Sequence, residues 1–110
     1  MSRSAAQAAT IESAFRDANE QIQAKADELG FGARATPYLC ECEDAGCTDV
    51  IGLTRLEYEK VRAHPKRFVM VSGHQEPDSR LMQEGPRFTV IEKTGAEGKL
   101  VAARDPRAAG

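Results

Sequence analysis

The three cysteines of this 110-residue chain all fall in one ten-residue segment, YLCECEDAGC, which runs from residue 38 to 47. A chain of this length forms one domain at most, and its core alone gives a thin stability margin, so a bound metal would help to hold the fold. A disulfide would use two of the cysteines and leave the third without a partner. The cluster therefore favours metal binding over a disulfide framework.

The spacing Cys-x-Cys-x4-Cys supplies three thiolates, and structural zinc sites usually have four protein ligands. The chain has two histidines, and His64 directly precedes Pro65 at the predicted end of a helix. His74 follows Gly73 after a predicted strand, and a glycine beside a ligand lets the backbone turn the imidazole inward. We therefore predict one Zn²⁺ per chain, bound by Cys40, Cys42, Cys47 and His74.

Other interpretations of this segment stay open at the level of sequence. The cysteines could pack in a core as small apolar side chains, but Glu41, Glu43 and Asp44 make the segment polar. A thiol redox role and an iron–sulfur cluster also suit these residue types, although the long gap before His74 does not resemble compact iron–sulfur motifs. The acidic residues predict a solvated face, with attraction of a cation or a basic partner as the alternative.

A leading helix is predicted from apolar residues at spacings of three and four. We place a disordered segment at 1–9 and an amphipathic helix at 10–32, with Gly30 as its C-terminal cap. The apolar stripe either packs on its own domain or forms the seam of a homodimer through the residue 10–29 helix. Its members are Ile11, Phe15, Ala18, Ile22, Ala26 and Leu29.

Residues 36–107 are predicted to form a zinc-binding α+β domain. Strands are expected at YLCEC, DVIGL, RFVMV and RFTVIEK. Between them, Thr54 and Glu57 form a capping box that begins a short helix, which ends before Pro65. The fold class is therefore α+β: a small zinc-stabilised domain with a leading helix, a short capped central helix and a small, mostly antiparallel sheet.

The last third of the chain is less regular in its pattern. EPDSRLMQEGP is predicted to be irregular with a helical turn, and TGAEG is predicted to be a loop. Residues 99–105 fit either a helix or a returning strand, and the tail after Pro106 is predicted to be loose.

Composition excludes some classes of function. The formal net charge of −2 and the low pI argue against a dedicated nucleic-acid binder. The first residues lack the apolar segment of a secretory signal, and no apolar run is long enough for a membrane span. We therefore predict a cytoplasmic protein, whose reducing surroundings favour thiolate ligands over disulfides.

A combination of short motifs resembles a group of small uncharacterised actinobacterial proteins, and the resemblance covers most of the chain. The motifs are the cysteine cluster, LTRLEYEKVRAHPKRF from Leu53 to Phe68, Gly73-His74, VIEK from Val90 to Lys93, and Asp105-Pro106-Arg107. One departure is Ser72, where the group commonly has proline. The resemblance implies that Cys40, Cys42, Cys47 and His74 act as one constellation, and it implies no established activity.

Three functional hypotheses follow. The first is a zinc-stabilised module that binds a protein partner, in regulation or stress response, because four protein ligands leave no open position for a substrate. The second is a thiol or metal sensor, in which oxidation of the thiolates releases zinc. The third is a zinc-dependent enzyme with His74 or Glu57 as a base, although HExxH, deaminase and phosphate-loop motifs are absent.

Overall fold

The computed structural model describes residues 4–76 and 79–109 and has the predicted α+β fold. The strands form two antiparallel sheets in place of the single one expected: β1 pairs with β2, and the other sheet has the order β3-β5-β4. In these residues the elements are α1 (Ala5–Glu28), β1 (Thr36–Leu39), β2 (Val50–Leu53), α2 (Arg55–Arg62), β3 (Arg67–Met70), β4 (Arg80–Glu84), β5 (Thr89–Glu92), α3 (Gly95–Ala103) and a 3₁₀ turn (Pro106–Ala109).

Helix α1 begins at Ala5, earlier than the predicted start at Thr10. The Ser4 hydroxyl accepts a hydrogen bond from the Gln7 N–H at 3.1 Å, and the Gln7 side chain accepts one from the Ser4 N–H at 3.0 Å. This capping box satisfies two free N–H groups of the first turn. The predicted disorder of segment 1–9 is therefore wrong for residues 5–9, while residues 1–3 lie outside the described residues.

The inward face of α1 is polar. Of the predicted apolar stripe, Ala26 is buried and Ile22 packs against the core, whereas Ile11, Phe15 and Ala18 are only half-buried and Leu29 is exposed. The side chains that face the domain lie about a quarter of a turn away. They follow the 4-3-4 spacing of a packed helix face, and they are Glu12, Arg16, Asn19 and Gln23. The apolar stripe is therefore not the main inward face.

Helix α2 confirms the capping box predicted at its start. The Thr54 N–H donates to Glu57 Oε1 at 2.9 Å, and the Glu57 N–H donates to Thr54 Oγ1 at 3.2 Å. The tyrosine of this helix, Tyr58, is buried and stacks on Tyr38 of β1 with ring centroids 4.3 Å apart. The stacked rings join α2 to the β1–β2 sheet beneath the cysteine segment.

The last third of the chain is more regular than the sequence indicated. The segment predicted to be irregular contains β4, which pairs with β5 and has a bulge between Leu81 and Gln83. TGAEG is not a loop, because α3 begins at Gly95 and continues to Ala103. Residues 99–103 are therefore helical, which settles the choice between helix and strand.

The tail after Pro106 is held in place, so the prediction of a loose tail is wrong up to Arg107. Arg107 donates to Glu20 of α1 at 2.9 Å and to Glu59 of α2 at 2.7 Å. Nearby, the buried Arg62 of α2 forms an ion pair with Asp105. These contacts hold residues 105–107 against α1 and α2. Among the described residues, no helix has the length and apolar character needed to cross a membrane.

Candidate metal centre

The cysteine segment begins where β1 ends. The strand stops at Leu39, so Cys40 and Cys42 lie on an irregular extension and not on a strand as predicted. The extension is still held on both sides, because the Cys40 N–H donates to the Asp49 carbonyl at 3.1 Å and the Glu41 N–H donates to the Val69 carbonyl at 2.8 Å. The backbone is therefore bound between the approach to β2 and the edge of β3.

The four predicted ligands lie together. The Sγ atoms of the three cysteines and a ring nitrogen of His74 all lie within 4.8 Å of one another. The Nδ1 atom of His74 is 3.5 Å from Cys40 Sγ and 3.8 Å from Cys47 Sγ. Cys40 and Cys42 are buried, while Cys47 and His74 are partly exposed. His64 is exposed at the end of α2 and does not join the cluster.

These separations suit a tetrahedral metal site. With Zn–S bonds of about 2.3 Å and Zn–N bonds of about 2.05 Å, a tetrahedron places sulfur and nitrogen about 3.6 Å apart. The two distances from His74 Nδ1, 3.5 and 3.8 Å, lie close to this value. The donor set of three sulfurs and one imidazole is one that zinc binds in structural sites. The residues present can therefore hold a metal ion.

The backbone around His74 turns the ring toward the sulfurs. Gly73 has a φ of 96°, a left-handed conformation that favours glycine, and the His74 N–H donates to the Val71 carbonyl at 3.0 Å. The Ser72 hydroxyl donates to the Gly85 carbonyl at 2.6 Å, which fastens the turn to the β4–β5 connection. Ser72 therefore anchors the turn that carries His74.

The second ring nitrogen of His74 faces a carboxylate. Its Nε2 atom lies 3.5 Å from Asp49 Oδ2. Histidines that bind metals commonly present their other ring N–H to a carboxylate, which fixes the tautomer and the ring orientation. With Asp49 on one side and the thiols on the other, Nδ1 is the nitrogen placed for a metal.

Burial disfavours charge on two of the three thiols. Desolvation raises the pKa of Cys40, although the Val71 N–H opposes this by donating to its Sγ at 3.2 Å. Desolvation also raises the pKa of Cys42. A cation bound among the sulfurs favours the thiolate forms, so metal binding displaces protons from this site.

Glu41 contradicts the prediction of a solvated acidic face. Its side chain is 0% exposed, whereas Glu43 is half-buried and Asp44 is exposed. Its Oε2 accepts hydrogen bonds from the Tyr58 hydroxyl at 2.7 Å and from Asn19 Nδ2 at 2.9 Å. Its Oε1 accepts the Val69 N–H at 3.0 Å. Glu41 thus connects the cysteine segment to α1, to α2 and to β3.

Asn19 is the second residue that sequence reasoning missed. Its Nδ2 donates to the Leu39 carbonyl at 3.0 Å, and its Oδ1 accepts the Leu39 N–H at 2.7 Å. The amide therefore pairs with the last residue of β1 as a neighbouring strand would. The polar 4-3-4 spacing on α1 was the available signal, because a helix that packs on a domain repeats its inward positions at that spacing.

Comparison with protein-family models, with curated proteins and with solved structures finds no match to this chain. The resemblance to the actinobacterial group therefore stays a prediction. The case for a site rests on the side chains that the fold brings together.

Proposed function

We propose that the protein binds one Zn²⁺ through Cys40, Cys42, Cys47 and His74, and that this metal is structural. One observation carries the proposal: all four donor atoms lie within 4.8 Å of one another. Three thiolates and an imidazole fill a tetrahedral coordination shell, which leaves no position for a substrate. This supports a structural metal over a zinc-dependent enzyme.

The proposed zinc joins three parts of the chain, and it adds to the hydrogen bonds that already hold the cysteine segment on β3. Cys40 and Cys42 follow β1, Cys47 lies in the connection to β2, and His74 lies after β3 in the other sheet. A metal bound by all four would tie the two sheets together at this end. Since the structure places Asp49 against His74 and the Val71 N–H against Cys40, groups around the site also support the ligands.

We further propose that the zinc-bound domain acts in the cytoplasm as an interaction or regulatory module with a protein partner. The slightly negative charge and the missing motifs for catalysis support a binding role over an enzymatic or nucleic-acid role. Homodimerisation through the residue 10–29 helix is one form of this proposal. The half-buried Ile11, Phe15 and Ala18 and the exposed Leu29 would supply apolar contacts.

The test is metal analysis of the purified chain with single variants. We expect one zinc per chain, loss of zinc in Cys42→Ser and His74→Ala, and retention in His64→Ala, which alters the other histidine. Chelation should lower the melting temperature, and added zinc should restore it. A His74→Ala protein with full zinc affinity, or an iron–sulfur chromophore, would overturn the assignment. An unchanged melting temperature after chelation would overturn the structural role.

A thiol sensor is the second candidate, and the exposure of the site favours it. Cys47 is partly exposed, and a hollow of about 240 Å³ beside the site is lined by Cys42, Glu43, Asp44, His74 and Glu76. Through it, a peroxide could oxidise two thiolates to a disulfide, itself being reduced to water or hydroxide, and zinc would be released. Stoichiometric peroxide should then release zinc within minutes, and a thiol reductant should permit rebinding. Zinc that survives peroxide excludes this role.

A further inference from the structure

Three glutamates form a second cluster near the cysteine segment. Glu12 comes from α1, Glu43 directly follows Cys42, and Glu97 lies in the first turn of α3. One carboxylate oxygen of each lies within 4.8 Å of the others. Glu12 is 0% exposed, and the other two are half-buried. The cluster is separate from the thiol site in its donors, because it offers only oxygen.

The positive charge at the cluster is smaller than the negative charge. Lys93 Nζ lies 2.7 Å from Glu12 Oε2 and 3.4 Å from Glu97 Oε1. One ammonium among three carboxylates leaves a charge of −2 when all are ionised, and Glu76 also faces Glu43. Burial, followed by the neighbouring Glu97 carboxyl, raises the pKa of Glu12 to about 9 even though Lys93 acts to lower it. The ammonium therefore compensates the buried carboxylate only in part.

Three buried oxygens of the cluster make no hydrogen bond within the described ranges: Oε1 and Oε2 of Glu12 and Oε1 of Glu97. Lys93 forms ion pairs with Glu12 Oε2 and Glu97 Oε1. Glu12 Oε1 accepts no hydrogen bond from any residue of the described ranges, although its side chain is closed off from solvent. Buried polar atoms in folded proteins nearly always have a partner, and a bound ion is one way in which an exception is satisfied. Because Oε1 belongs to the carboxylate that meets Glu43 and Glu97, a cation among the three would satisfy it.

There is space beside the cluster. A hollow of about 230 Å³ is lined by Glu43 and Glu97 together with Ser4, Ala8 and Thr94. It gives a route from solvent to two of the three carboxylates, and it has room for water to complete a coordination shell. Hard divalent cations take oxygen ligands from carboxylates and commonly keep several waters.

We propose that Glu12, Glu43 and Glu97 bind one hard divalent cation of the Mg²⁺, Mn²⁺ or Ca²⁺ type. When all three carboxylates are ionised, the net charge of −2 at the cluster matches one such ion, whose binding would displace the proton of Glu12. Carboxylate oxygens suit these cations, whereas thiolates suit zinc. Two different metals would therefore occupy neighbouring sites, with Cys42 as a ligand of one and Glu43 as a ligand of the other. The cation would join the first half of α1, the cysteine segment and α3.

Mn²⁺ is the probe, because its electron paramagnetic resonance signal distinguishes free from bound ion. The zinc-loaded 110-residue chain is titrated with Mn²⁺, and its zinc content is measured before and after. We expect saturable binding of one Mn²⁺ per chain, and at least a tenfold loss of affinity in Glu97→Gln and in Glu12→Gln. Glu28→Gln, an exposed glutamate near the other end of α1, should bind as the unaltered chain does.

Folding of the variants is checked by circular dichroism, and Glu97→Gln gives the cleaner answer because Glu97 is only half-buried. As a second readout, Mn²⁺ should raise the melting temperature of the unaltered chain and leave that of Glu97→Gln unchanged. Absence of saturable Mn²⁺ binding would overturn the proposal. So would binding that Glu97→Gln leaves intact, or binding accompanied by loss of zinc, because the ion would then occupy another site.

Discussion

Glu41 and Glu12 are both completely buried, but they differ in how many hydrogen-bond donors surround their carboxylates. Glu41 accepts three hydrogen bonds, from Asn19, Tyr58 and the Val69 N–H. Glu12 has one ammonium beside it and an oxygen without a partner in the described part of the chain. A buried carboxylate with several donors stabilises a structure, whereas one that lacks them is costly unless a ligand supplies the missing contact. The first arrangement suits a structural role and the second suits a binding role.

The largest expected effect is that of Glu41→Ala. The change leaves the Tyr58 hydroxyl and the Val69 N–H without this acceptor and removes one of the two acceptors of Asn19 Nδ2. Each buried donor left unpaired costs about 1–3 kcal/mol. We expect the free energy of unfolding to fall by about 3 kcal/mol or more, together with weaker zinc binding, because Glu41 lies between Cys40 and Cys42. Urea unfolding measures the loss. Glu84→Ala, at an exposed position in β4, should change stability by less than about 0.5 kcal/mol. Equal losses in the two variants would contradict the role of Glu41.

Glu12→Gln should change how stability depends on pH. Burial raises the pKa of Glu12 to about 9 from 4.5, so the folded chain binds more protons than the unfolded chain between those values. The free energy of unfolding therefore falls as the pH rises through that window, by up to about 1.4 kcal/mol per pH unit. Glutamine does not titrate, so the variant should show a shallower slope.

This slope is measured by urea unfolding from about pH 6 to about pH 9 on zinc-loaded protein without added Mg²⁺, Mn²⁺ or Ca²⁺. Glu28→Gln is the control and should keep the original slope, because its carboxylate is exposed. Identical slopes for Glu12→Gln and the unaltered chain would show that Glu12 is ionised in the folded state and would contradict this prediction.

A smaller loss of stability is expected when either of the two stacked tyrosines, Tyr38 or Tyr58, is changed to phenylalanine, and the two variants can be compared directly. Tyr58→Phe removes a donor to the Glu41 carboxylate, whereas Tyr38→Phe removes a donor to the Gln23 amide oxygen at 2.9 Å. Burial raises the pKa of Glu41, and its hydrogen bonds from Asn19, Tyr58 and the Val69 N–H act to lower it. An ionised Glu41 accepts a stronger hydrogen bond than the neutral Gln23 amide does. We expect a loss of about 2 kcal/mol for Tyr58→Phe and about 1 kcal/mol for Tyr38→Phe in urea unfolding. A larger loss for Tyr38→Phe would indicate that Glu41 is neutral.

The smallest expected effect comes from Asp49, an acidic residue that is mostly exposed. Its carboxylate faces His74 Nε2 at 3.5 Å and has no buried donor to satisfy in the described structure. Asp49→Ala should leave folding nearly unchanged and lower zinc affinity about tenfold, as loss of a carboxylate behind a ligating histidine does. Competition with a chromogenic zinc chelator measures the affinity. Asp17→Ala, on the exposed side of α1, should have no effect.

The difference between the two glutamates also shows what a sequence can predict here. The capping box at Thr54 and Glu57 could be identified because its signal is local. The four candidate ligands could be chosen from donor chemistry, because the chain has only three cysteines and two histidines, although His74 lies 27 to 34 residues from Cys47 and Cys40. The burial of Glu41 could not be predicted, because its hydrogen-bond partners lie 17 to 28 residues away along the chain. By residue type alone, Glu41 and the exposed Asp44 are equivalent.

The predictions of two other elements were also wrong. One depended on distant contacts, as the burial of Glu41 does, and the other overlooked a local signal. Strand β4 is polar and mostly exposed, so only its pairing with β5 defines it, and that pairing is not local. The start of α1 was available in the sequence, because Ser4 and Gln7 have the spacing of a capping box. The polar inward face of α1 lies beside an apolar stripe of the same spacing, and spacing alone favours the apolar stripe as the inward one.

The distance along the chain between α1 and its partners has a consequence for protein synthesis. Arg16 donates to the Val101 carbonyl, which is 85 residues further along. At about 5–20 residues per second, a ribosome needs roughly 4 to 17 s to translate that interval. During this time the nascent helix lacks its contact with α3, although its contact with β1, about 20 residues away, can already form. The buried face that waits for the rest of the chain carries Glu12, Arg16, Asn19 and Gln23, so it exposes less apolar surface to aggregation than an apolar face would.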